Sequence, residues 1–173
     1  MKGGMRRLLD SLYDAAAWLG ALAMVGTLAM VLLSIVSRQL GFNVPGTDSY
    51  AGYCMAASGF LALAHTLKRN EHIRVTLLLG RLQGGARRGM ELWALSAGVF
   101  LGGLFAVYSV RLAWVSHAIN DVSTGNDATP LWIPQVAMGL GAVVLFIALV
   151  DEWVLELRGQ RQVMASEEAL HNE

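Results

Sequence analysis

Charged positions cluster along this chain and then give way, four times, to long runs with almost none. The first run covers residues 15–37, between Asp14 and Arg38. The second, 49–67, lies between Asp48 and Lys68 and reads SYAGYCMAASGFLALAHTL. The third begins after Glu91 and passes through LWALSAGVFLGGLFAVYSV to Arg111, and the fourth, 131–150, is closed by Asp151 and Glu152. A helix rises about 1.5 Å per residue and the hydrocarbon core of a bilayer is about 30 Å thick, so about 20 apolar residues suffice to cross it. The pattern therefore predicts an all-α membrane protein with four transmembrane helices, at about 15–37, 49–67, 92–112 and 131–150.

Between the second and third runs the chain reads TLKRNEHIRVTLLLGRL, with leucines set among Lys68, Arg69, His72, Arg74 and Arg81. The stretch VTLLLGRL is too short to cross a bilayer, and Gly80, Gly84 and Gly85 interrupt its continuation. At a helical period Ile73, Leu77 and Leu78 share one face while Arg74 and Arg81 project from another. That is the pattern of a short interfacial helix, near 73–82, lying on the membrane with its basic residues among anionic or zwitterionic lipid headgroups.

Composition agrees with lipid as the solvent: 55% of the 173 residues are apolar and 15% charged, with mean hydropathy +0.49. Thirteen basic residues balance thirteen acidic ones, so orientation follows from where the charges lie. Lys2, Arg6, Arg7, Lys68, Arg69, Arg74, Arg81, Arg87, Arg88, Arg158 and Arg161 all fall on one side of a four-span protein. Arg38 and Arg111 fall on the other, with Asp48, Asp121 and Asp127. The positive-inside rule then places both termini in the cytoplasm. Residues 1–158 form one four-span domain and 159–173 a polar tail. The first apolar run is too long for the core of a cleaved signal peptide and reads as a retained span. The basic segment lacks interleaved aromatics and follows the membrane boundary, so no nucleic-acid partner is expected.

Candidate chemistry within the spans is sparse. Asp48, Glu91, Arg111 and Asp151 all stand at span ends, with no buried charge expected between them, which reads as scaffold rather than conduit. Cys54 is single and reads as a packing residue. A membrane anchor binding haem or quinone is the alternative, but His65 and His117 fall at opposite ends of their spans and His72 lies outside them, so no histidine pair can grip one iron. Neither cofactor nor metal nor catalytic group is expected. Gly98, Gly102 and Ala106, spaced four residues apart, offer a helix-packing or partner interface, as do Ala137 and Gly141. Trp93 and Trp132 suit anchoring at opposite interfaces.

The order of these features resembles the small membrane subunit, the DctQ-type or Q subunit, of tripartite ATP-independent periplasmic (TRAP) transporters, over most of the chain from Arg7 to about Arg158. GFLALAHTLKRNEHIRVTLLLGRL is similar to the family's basic loop after its second span. SRQLGFNVPGTDSYAGY resembles the Arg-containing end of span one and the acidic start of span two, and DVSTGNDATPLWIPQ the polar loop leading through Pro into the last span. Thr76, Ser49 and Gly52 stand where family members commonly carry charge. The resemblance implies a non-enzymatic subunit in the bacterial inner membrane. Its partners would be a large permease, which holds the substrate and ion sites and moves as an elevator, and a periplasmic substrate-binding protein. Together they would import an organic acid, a carboxylate, on a sodium gradient. By the same resemblance, Asp48, Asp121 and Asp127 are candidate periplasmic contacts.

Overall fold

The computed structural model describes residues 3–42, 44–68, 85–125 and 127–159. Four helices account for nearly all of them: α1 (Gly3–Gln39), α2 (Thr47–Lys68), α3 (Gly85–Ala118) and α4 (Trp132–Leu157). Three helical stretches, Arg6–Gln39, Arg88–Ala118 and Trp132–Leu157, are long and apolar enough to cross a membrane. The helix α2, at 22 residues or about 33 Å, has the length but carries more polar side chains, among them Asp48, Tyr50, Tyr53, Ser58, His65 and Lys68. The expected interfacial helix at 73–82, with Arg69, His72, Arg74 and Arg81, lies outside the described residues.

The helices outrun the apolar runs that announced them. Helix α1 begins well before residue 15, because Leu9 and Tyr13 turn onto the core while Arg6 and Asp10 pair along the exposed side at 3.7 Å. Helix α3 continues past Arg111 to Ala118, and α4 past Asp151 to Leu157. Arg111 and Asp151 thus lie inside helices that continue beyond the apolar runs they close. A charge ends a hydropathy window, but it does not end a ladder of backbone hydrogen bonds.

The packing order is α1, α2, α4, α3, with α1 and α4 meeting only slightly. The result is a layer with α1 and α3 at its edges, not a closed bundle. A cluster of Tyr13, Ala16, Ala64, Val144 and Ala148 joins α1, α2 and α4, and small residues bring the backbones together elsewhere. A Cβ added at Gly141 would lie 2.5 Å from the carbonyl oxygen of Phe60, so α4 touches the backbone of α2 there. A Cβ at Gly20 would lie 3.2 Å from the carbonyl oxygen of Ser58, which brings α1 and α2 nearly as close. Large apolar side chains instead point outward, including Trp18, Leu22 and Leu28 on α1 and Phe100, Val107 and Trp114 on α3. In water that surface would drive aggregation. In a bilayer it is the solvated face.

Candidate functional site

The layer carries polar groups at both ends. At one end, the last residue of α2 meets the last two turns of α4. Lys68 Nζ donates to Asp151 Oδ2 and, at 3.0 Å, to Glu152 Oε1. The three side chains are 12%, 4% and 11% exposed, so these charges are shielded from water. Lys68 Nζ also stands 5.4 Å from the centre of the Tyr13 ring, where the face of the aromatic attracts a cation. Three helices therefore converge on one ammonium group. Beside it His65 Nδ1 lies 3.4 Å from Asp14 Oδ1, joining α2 to α1 a second time. Arg88 Nη2 donates to the carbonyl oxygens of Leu157, at 3.2 Å, and Glu156, at 3.5 Å, so α3 covers the exposed carbonyls that end α4.

At the other end, two loops lie together over the tip of α2. The first, between α1 and α2, reverses the chain through Gly46 at φ +82°, where a Cβ would come within 2.8 Å of the Cβ of Asp127. The second, between α3 and α4, closes on itself. Val122 pairs with Pro130, Ser123 N donates to Thr129 O at 2.8 Å, and Leu131 N donates to Asp121 O at 3.0 Å. Side chains then tie this loop to α2. Tyr53 Oη donates to Asp127 Oδ2 at 3.2 Å, Ser123 Oγ to Asp127 Oδ1 at 3.0 Å, and Thr129 Oγ1 to Tyr50 Oη at 3.1 Å. Hydrogen bonding, from Thr129 foremost and then from Ser123 and Tyr53, holds the Asp127 carboxyl below its ordinary range against an opposing effect of desolvation.

Asp48, in the first turn of α2, accepts from Ser34 Oγ at 3.2 Å and from Arg38 Nη2 at 3.5 Å. The Arg38 and Asp48 side chains are 75% and 78% exposed, so their pair adds little stability and leaves both groups free to meet a partner. Between the two loops is a polar cleft of about 340 Å³, lined by Ser34, Ser37, Arg38, Asp48, Ser49 and Gly125 among others. The described residues contain no group of three or more His, Cys, Asp or Glu able to hold a metal ion. His65 and His117 stand at opposite ends, the latter with its ring 5.3 Å from that of Trp132.

This arrangement ties helices together at one end and presents a polar surface at the other. A family model for tripartite ATP-independent periplasmic transporters, DctQ component, matches residues 27–159. The chain belongs to the DctQ family. It is therefore a small permease component of a TRAP transporter, a membrane protein whose system includes a large permease and a binding protein. Among the curated proteins compared, none matches.

Within the DctQ chain, Asp48 and Asp127 stand on the same loop surface. Asp121 sits at the base of the second loop, engaged there through its backbone. Gly98 and Gly102 face Leu149 of α4, at 3.5 and 2.7 Å from where a Cβ would be, and Ala106 is buried. These small residues thus pack within the DctQ subunit itself. Trp93 is exposed, as a membrane-interface anchor requires. The expectation that no charge is buried does not hold: Asp151, Glu152 and Glu156 are all buried. They escaped notice because a residue at the edge of an apolar run looks solvent-exposed until a neighbouring helix supplies the cation. The pairing signal was present all the same, in one lysine closing the second apolar run and two adjacent acids closing the fourth.

Proposed function

We propose that this DctQ subunit is a fixed support for the large permease of a TRAP system that imports an organic acid, a carboxylate, on a sodium gradient. The family match across 27–159 carries the proposal. Four spans, with α2 crossing between α1 and α4, put the Lys68 end and both termini in the cytoplasm and the paired loops in the periplasm. The distribution of Lys and Arg supports that orientation, and the length of α2 supports its crossing. The surface bearing Arg38, Asp48 and Asp127 is then placed to meet the loaded binding protein.

The paired ends suit a support. Lys68 and the two acids of α4 lock the inner ends of three helices, and the tyrosine ties hold the outer loops, so the layer resists deformation while its partner moves. Reconstitution in vesicles tests the function. Uptake of radiolabelled carboxylates is expected only when this chain, the large permease and the binding protein are all present with an inward sodium gradient. Uptake by this chain alone, or undiminished uptake without it, would overturn the proposal.

A further inference from the structure

Side chains of α3 and α4 line an open groove of about 620 Å³ on the surface of the layer. Its walls are apolar: Gly103, Val107 and Val110 from α3 and Val143 and Phe146 from α4. Gly103 gives it depth, since a Cβ there would press to 3.1 Å from the Phe146 ring. At its upper end stand Arg111 and Trp114, the latter 78% exposed. Arg111 is exposed about two turns before the end of α3, and among the described residues it has no hydrogen bond or ion pair. A guanidinium at that depth, beside a groove without polar walls, calls for an anion that arrives attached to something apolar.

We propose that this groove is a binding site for one phospholipid of the periplasmic leaflet, its phosphate on Arg111 and an acyl chain along the groove. Dimensions favour a lipid over a helix of a partner. Arg111 to Gly103 spans about 12 Å along α3, close to the half-thickness of about 15 Å that one leaflet provides, whereas a crossing helix needs a track of about 30 Å. Trp114, one turn above Arg111, lies at headgroup level, where indoles are favoured. Guanidinium pairs with phosphate in two-pronged hydrogen bonds, which selects the phosphate rather than any particular headgroup beyond it. The site rests on the proposed orientation for its leaflet, but not for its chemistry.

Photo-crosslinking in the complete transporter tests it. The complex with the large permease is placed in vesicles containing phosphatidylethanolamine or phosphatidylglycerol with a photoreactive acyl chain, or diacylglycerol with the same chain. Adducts are mapped by peptide. Both phospholipids are expected to label the groove segments of α3 and α4 above the level seen on the exposed face of α1. Arg111→Gln, or use of the diacylglycerol, is expected to lower that labelling about fivefold. Arg111→Lys should retain most of it, and Val107→Trp should block the groove. Labelling that is uniform over all lipid-facing helices, or unchanged by Arg111→Gln, would overturn the site. So would loss of the large permease from the Arg111→Gln complex with no adduct in the wild type, since the groove would then hold protein. Sodium-driven uptake is followed in the same vesicles: uptake with an unlabelled groove overturns the lipid site alone, and labelling without uptake overturns the transport proposal alone.

Discussion

At Lys68, one ammonium satisfies two carboxylates and an aromatic ring in a setting nearly closed to water. Removing one member of a buried charge group leaves the others uncompensated, a loss of about 3–5 kcal/mol. Lys68→Met should therefore lower the unfolding temperature of the detergent-solubilised subunit sharply, and adding Asp151→Leu should recover part of the loss. If the single variant melts like the wild type, the cluster is not a lock. Asp127, half-buried in the outer loop, is held by hydrogen bonds instead of by an opposite charge. Its carboxyl is held below the ordinary value, so its ties contribute above about pH 4 and weaken as the pH falls through the lower folded value. The protection factor of the Ser123 amide should be level from pH 7 to 5 and fall below about pH 4. In Asp127→Asn it should be lower and lose that pH dependence. Both positions were visible in the sequence as charges near the margins of apolar runs, but nothing in the sequence distinguished the one sealed in an ion cluster from the one held by hydrogen bonds. That difference depends on which helix stands next to each.

Among the elements, the contact between α2 and α4 is set by the absence of a side chain at Gly141. Alanine raises intrinsic helix propensity by about 1 kcal/mol over glycine. Here, however, its Cβ would meet backbone, which cannot rotate away, and overpacking of that kind costs about 1–3 kcal/mol. Gly141→Ala should be destabilising, while Gly59→Ala, with open space around it, should be neutral or stabilising by up to about 1 kcal/mol. Thermal melts of the two variants in one detergent compare them directly. Gly102→Leu should likewise disturb α3 against Leu149 within the chain, seen as faster proteolysis of the isolated subunit. Apolar runs located all four helices, yet missed the first turns of α1 and α3 and the last turns of α3 and α4. Runs mark where a side chain can face lipid, whereas helices extend wherever backbone hydrogen bonds continue and side chains find partners.

For the whole molecule, the open layer and the segregated charge make a testable topology. In a Cys54→Ala background, the Thr124→Cys variant should react with an impermeant reagent added to intact cells, and Gly159→Cys only after the membrane is permeabilised. The reverse pattern would invert the protein. Length, apolar runs and the distribution of Lys and Arg were enough to determine by themselves that this chain is helical and built for a membrane, because partitioning into lipid depends on composition along short windows. Its family resemblance, too, was legible in short stretches around the loops. Tertiary structure decided what those windows cannot express. It showed that the helices form a row rather than a ring, that the glycines of α3 serve the chain's own packing, and that Asp151 is buried while Asp48 is exposed. Each of these depends on the distance between residues far apart in sequence, and that distance is set by how closely two backbones can approach.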